Sequence, residues 1–123
     1  MLTVNIKNLG VVSILCLQGR IVRGEMEALR KAVEAQTAVS AVILDLTRVN
    51  LIDAGGLGLL LELREYTQSK GTDFKLMNLQ KLVRKLFEIT RLNSVFAVTS
   101  TAEVSFHAGP ARPVLPGELA ACA

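Results

Sequence analysis

Apolar positions along the chain switch repeatedly between a two-residue and a helical period. Leu2, Val4 and Ile6 alternate with Thr3, Asn5 and Lys7, the pattern of a strand with one wet face. Asn8-Leu9-Gly10 then turns the chain into Val11 to Leu17. That run is apolar at nearly every position, so it reads as an interior strand covered on both faces. Gln18-Gly19-Arg20 reads as a turn, and Gly19 to Gly24 as a connection. Met26, Leu29, Ala32 and Val33 follow at helical spacing, with Glu25, Glu27, Arg30, Lys31 and Glu34 outside, and this helix is expected to end near Ala38. Ala41 to Leu46 is a third strand, leading to a polar corner at Thr47 to Asn50. A helix runs from Ala54 to about Ser69 and stops at Gly71. Phe74 to Met77 is a short strand. Asn78 or Leu79 opens a helix through Thr90, with Leu82, Val83, Leu86, Phe87 and Ile89 as its buried side and Lys81, Arg84 and Lys85 outside. Asn93 breaks the run before a strand at Val95 to Val98. Ser100 to Phe106 adds a helical turn or two, with Ser100 or Thr101 capping and Glu103 in the capping-box position.

Strands alternating with helices after an opening hairpin predict an α/β fold. It has one layer of four to five mostly parallel strands with an antiparallel N-terminal edge, packed by three to four helices with right-handed crossovers. The 123 residues suffice for one core and fall short of two ordinary domains. All three prolines, Pro110, Pro113 and Pro116, lie in His107 to Ala123. Such a segment cannot donate a continuous ladder, so the domain is placed at 1–106 and 107–123 is read as a flexible tail or a crossing arm.

The composition removes several function classes. Half of the residues are hydrophobic and the mean hydropathy is +0.41, which argues against disorder. A net charge of +3, from 14 basic and 11 acidic residues, is too mild to indicate nucleic acid, and four Phe, one Tyr and no Trp make no stacking platform. No stretch reaches the roughly 18 apolar residues of a membrane span, and Leu9 to Leu17 lacks the cleavage site of a secretory signal. Cys16 and Cys122 form no disulfide or zinc pattern, which fits a reducing cytoplasm. His107 is the single histidine, so neither a histidine triad nor a multi-histidine metal site can be assembled. Gly56-Leu57-Gly58 is a partial dinucleotide motif with Leu61 where its third glycine would stand, and no cofactor is expected. Asp45 and Asp53 are a candidate carboxylate pair, but Asp45 reads better as a strand-end residue bonded to the adjacent loop, and Thr47 as a turn-stabilising hydroxyl. No catalytic residue is assigned and the chain is not read as an enzyme.

The remaining candidate is the stretch Leu44 to Leu61. Asp53 reads as an N-cap whose carboxylate accepts from the next turn and sits against the positive helix end. Gly55 and Gly56 leave that turn without side chains, open to close approach by a partner or an anion. At about 100° per residue, Leu59, Leu60, Leu63 and Tyr66 fill one arc of the helix and Glu62, Glu65 and Ser69 the opposite one. Leu57 and Leu61 share an azimuth with Arg64 and Gln68, so they either join the core or border a docking patch.

The run Asp45-Leu46-Thr47-Arg48-Val49-Asn50-Leu51-Ile52-Asp53-Ala54-Gly55-Gly56-Leu57-Gly58-Leu59-Leu60-Leu61 resembles the motif joining the third strand to the second helix in STAS domains, the fold of bacterial anti-sigma-factor antagonists. A weaker likeness extends from about Val4 to Val104, through Leu17-Gln18-Gly19, Lys75-Leu76-Met77-Asn78 and Val83 to Leu92. The resemblance implies a noncatalytic domain that binds an anti-sigma factor, often a serine kinase, and is controlled by phosphorylation. In that family the phosphate acceptor follows the motif aspartate; here the position is Ala54, which has no hydroxyl. Antagonists also commonly carry an acid soon after the glycine at the end of strand two, whereas Arg20, Val22 and Arg23 follow Gly19 and the first acid is Glu25. The expectation is therefore a regulator without its phospho-switch, docking a partner through Thr47, Asn50, Asp53, Ala54, Gly55, Gly56, Leu57 and Leu61. The alternative is an accessory or scaffold subunit of a larger assembly, such as a lipid-transport ATPase or a sensory complex. A small ligand in the motif crevice is a third hypothesis, and the sequence does not decide whether the chain forms a homodimer.

Overall fold

The computed structural model describes residues 2–99. Five strands form one mixed sheet in sequential order: β1 (Thr3–Leu9), β2 (Val12–Ile21), β3 (Ala41–Ile52), β4 (Asp73–Met77) and β5 (Ala97–Thr99). β1 is antiparallel to β2, from Thr3 opposite Gln18 to Leu9 opposite Val12; β2 to β5 are mutually parallel. Helices α1 (Glu27–Glu34), α2 (Ala54–Ser69) and α3 (Lys81–Ile89) make the crossovers. Because each crossover steps to the next strand in the same direction, a constant right hand puts all three helices on one face.

The period-two alternation of the strands then sorts the core. Leu15, Leu17, Val42, Leu44, Leu46 and Leu76 meet Leu29 and Val33 of α1, Leu59, Leu60 and Leu63 of α2, and Val83 and Phe87 of α3 in one cluster. Alternate residues on the other face, Leu9, Val12, Ile14, Cys16, Ala41, Ile43 and Met77, form a second buried cluster. β2 is thus buried on both faces from Val12 to Leu17, as its unbroken apolar run requires.

Several sequence expectations change. Gln18-Gly19-Arg20 is not a turn but the far half of β2, and Thr47 to Asn50 is not a loop but the far half of β3. Between Cys16 opposite Asp45 and Gln18 opposite Arg48, two residues of β3 face one of β2, and Asn50 is a second extra residue before Arg20 meets Leu51. These bulges let polar residues sit outward on a strand that still buries Val49 and Ile52. α1 stops at Glu34 rather than near Ala38, because the Gln36 side chain turns back: its Nε2 donates to the Ala32 carbonyl and its Oε1 accepts from the Ser13 hydroxyl. α3 begins at Lys81, after Asn78 adopts a left-handed φ of 58°. A 3₁₀ turn at Leu92–Ser94 pushes the last strand back to Ala97. Ile6, Leu82 and Ile89 are exposed. The buried stripe of α3 is narrow, with Val83 and Phe87 inward and Leu86 half-buried at its margin. The expected turn at Ser100 to Phe106 and the expected tail at 107–123 lie outside the described residues. No described helix is long and apolar enough to cross a membrane.

The contrast within α3 is testable by urea denaturation. Phe87 is fully buried and packs at 5.6 Å, centroid to centroid, on Phe96. Phe87→Ala is expected to cost about 3–5 kcal/mol. Leu82, 75 % exposed, should lose less than about 0.5 kcal/mol on truncation to alanine.

Candidate functional site

The expected site gathers where β2 and β3 end side by side and α2 begins. Ile21 lies opposite Ile52 in the ladder, and the next residue after β3, Asp53, caps α2 with extended backbone. Each of its carboxylate oxygens has a separate task. Oδ1 accepts from the Gly56 N–H at 2.7 Å, closing the first helical turn, and Oδ2 accepts from the Arg23 N–H at 3.1 Å, tying in the β2–α1 connection. The Asp53 N–H donates to the Ile21 carbonyl at 3.3 Å. Two backbone donors and the helix N-terminus favour the ionised form, so the carboxyl pKa lies below its ordinary value of 3.8; the Gly56 bond contributes most and the Arg23 bond next.

The two glycines differ in role. Gly56 is buried, and a Cβ built on it would stand 2.0 Å from the Ile21 carbonyl oxygen. Its lack of a side chain therefore answers to the packing of α2 on the end of β2, and not to an open surface for a partner. Gly55 is half-buried, with Arg23 Cβ 3.0 Å from where its own Cβ would be. Ala54 is exposed at the helix start; Thr47, Asn50 and Leu51 are exposed as well, but they lie earlier along β3, and Thr47 is not brought to the Asp53 turn. Leu57 and Leu61 are half-buried and lean on the main core cluster.

Asp45 does not join Asp53 in a carboxylate pair. It lies within β3 and not at a strand end; it is 3 % exposed, and its Oδ1 accepts from both the N–H and the hydroxyl of Thr47 at the first bulge. The Thr47 carbonyl accepts from Gln80 Nε2 at 2.6 Å, which fastens the start of α3 to the bulged part of β3. The sequence reading missed two contributors: Arg23, which acts through its backbone N–H, and Gln80. Neither role has a sequence signal, because both depend on residues about thirty positions away. Among the described residues no cluster of three or more His, Cys, Asp or Glu side chains could hold a metal.

The glycines and the cap each give an expected outcome. Gly56→Ala should destabilise by about 1–3 kcal/mol, the cost of forcing an extra carbon into filled space. Gly58 has nothing within 4 Å of an added Cβ, so Gly58→Ala should stabilise by about 0.5–1 kcal/mol through helix propensity alone. Asp53→Asn keeps an oxygen for Gly56 but faces the Arg23 donor with another donor. Since the folded-state pKa is depressed, the wild-type carboxylate adds stability above the unfolded value. That advantage is lost as pH falls through the folded value. The gap between wild type and Asp53→Asn in denaturation midpoints should therefore be full at neutral pH and shrink steadily below pH 3.8.

Solved structures share this fold. An anti-sigma factor antagonist from Mycobacterium paratuberculosis is 23% identical, with 99% of this chain and 94% of that one covered at a TM-score of 0.70. The Bacillus cell-fate determinant SpoIIAA in its phosphorylated form is 19% identical over 87% of this chain and 100% of that one, with a TM-score of 0.66. An anti-sigma-factor antagonist (STAS) domain protein from Planctomyces limnophilus is 14% identical over 86% and 97%, at 0.69. At these identities the likeness is one of fold. The model of the STAS domain family matches residues 3–105, and the chain belongs to that family.

Proposed function

We propose that this STAS domain is a noncatalytic regulator of the anti-sigma-factor-antagonist type, which binds a serine-kinase-type anti-sigma factor through the corner at the start of α2 and lacks a phospho-switch. Its docking surface comprises Thr47, Asn50, Ala54 and Gly55, with Leu57 and Leu61 at the margin and Asp53 holding the turn in shape. One observation carries the reading. The whole turn is built by the Asp53 carboxylate, the Arg23 and Gly56 amides and the Ile21 carbonyl, which leaves position 54 exposed at the helix start and free of structural work. A side chain there is open to a partner, which supports the docking reading.

The Bacillus relative exists in a phosphorylated form, and the family motif puts the acceptor at the residue after the aspartate. Alanine supplies a methyl group where phosphoryl transfer needs an oxygen nucleophile. A helix N-terminus would otherwise favour the roughly −1.5 to −2 charge of a phosphate. The domain would therefore compete for its partner continuously, without being released by the kinase it binds.

Incubation with the cognate kinase and ATP, read by intact-mass spectrometry, should leave the Asp53 loop of the wild type unmodified. Ala54→Ser should gain a single phosphate and lose affinity for the kinase once modified. Phosphate on the wild-type loop would overturn the constitutive reading, and failure of any such kinase to bind either form would overturn the partner.

A further inference from the structure

β3 is longer than its neighbour on one side. Its pairing with β4 ends at Asp45 opposite Met77, yet the strand continues to Ile52. Among the described residues only β2 lies alongside beyond Asp45, so the other edge of the overhang has no strand partner among them. At its start the Gln80 side-chain amide donates to the Thr47 carbonyl, doing locally what the N–H of a neighbouring strand would do. Further along, Asn50, Leu51 and Ile52 form one wall of a groove of about 240 Å³ whose opposite wall is Leu82, Val83 and Leu86 of α3.

The groove is apolar where an isolated domain would be expected to be polar. Leu51 is 47 % exposed and Leu82 75 %, and Ile89 extends the same side of α3. At about 100° per residue, Leu86, Leu82 and Ile89 form a stripe along the helix, bordered on its outer side by Lys85 and then Lys81. α3 carries three bases and one acid, Glu88, and Arg48 adds a base on the overhang. Ion pairs among the described residues involve Arg20, Arg30 and their acids; Arg48, Lys81, Arg84 and Lys85 take no part in them. The bases next to the groove thus keep their charge available for a ligand.

We propose that this groove binds an extended acidic segment of a protein partner, which adds as a strand along the free edge of β3. A strand's side chains alternate, so a segment lying here would set every second residue on Leu51, Leu82 and Leu86 and turn the others toward Lys81 and Lys85. Main-chain hydrogen bonds to an unpaired edge supply affinity without regard to sequence, and the apolar floor and basic rim supply selectivity. This surface adjoins the corner proposed above at Asn50, but it does not depend on the corner's partner.

The probe is a capped octapeptide of alternating leucine and glutamate, titrated into the full chain and followed by amide NMR and calorimetry. Saturable shifts confined to residues 47–52 and 81–89 are expected, with affinity falling as salt rises. Leu82→Glu and the double variant Lys81→Glu/Lys85→Glu change exposed side chains and should each weaken binding roughly tenfold or more. A leucine–lysine octapeptide should bind more weakly by a similar factor, and N-methylation of alternate amides should abolish binding. Shifts elsewhere, no saturation, equal binding of the lysine peptide or equal binding of the methylated one would each overturn the proposal. So would capture by phosphatidylserine-containing vesicles that is sensitive to Leu82→Glu, in the absence of saturable peptide binding, which would assign the surface to lipid. The kinase assay reads position 54 and this titration reads positions 81 to 85, so the two proposals fail separately.

Discussion

One carboxylate ties together the connection after β2, the end of β3 and the start of α2. Asp53 spans the connection after β2, through the Arg23 amide, and the first turn of α2, through the Gly56 amide, while its own N–H holds the last carbonyl of β2. Residues thirty positions apart are thereby fixed to one side chain. The geometry admits little slack, because the first turn of α2 sits so close to Ile21 that only glycine fits at position 56. A helix seated this way projects Leu59, Leu60 and Leu63 onto the sheet; moved outward by the width of a methyl group, it would leave a gap beneath all three. The cap therefore sets the packing of the longest helix as well as ending a strand.

What could be read from the chain alone depended on how local each determinant was. The bounds of α2 were legible at both ends, since an aspartate cap and a stop before Gly71 act within a few residues. The mostly parallel sheet with its antiparallel N-terminal edge followed from the alternation of elements, whereas the order of the strands came only with the structure. β3 was read too short because Thr47, Arg48 and Asn50 are polar, and the bulges that accommodate them exist only against β2. α1 was read too long because nothing near Gln36 announces that its side chain will bond Ser13, twenty-three residues earlier. In α3 the spacing of Leu82, Val83, Leu86, Phe87 and Ile89 gave the helix correctly and its exposure wrongly: periodicity locates an apolar side, but the width of the surface beneath decides how much of it is covered. Gly56 shows the same limit. The missing side chain was visible, and the carbonyl that requires its absence was not.

Charge is distributed unevenly over the helical layer, and the distribution separates self-contained surface from surface that is not. On one flank Arg30 pairs with Glu27 of its own helix and with Glu62 of α2, while Arg20 pairs with Glu25. Such exposed pairs contribute little stability, but they leave that flank nearly neutral. On the other flank α3 presents bases that pair with no acid among the described residues, beside exposed apolar side chains. Folding alone accounts for the first arrangement. The second exposes apolar area and gathers like charge on one short helix, neither of which stabilises the monomer, and the proposed docking segment would cover both.

Ala54 can be judged on the same basis. A serine there would add a hydroxyl at an exposed helix start; an alanine removes it and leaves every hydrogen bond of the turn in place, because none passes through that side chain. The fold is indifferent to the choice. On the proposed reading the signalling chemistry is not, since phosphoryl transfer requires an oxygen at that position. A structural likeness to switched antagonists is therefore compatible with the unswitched one proposed, and on that reading the distinction between them rests on the chemistry of residue 54.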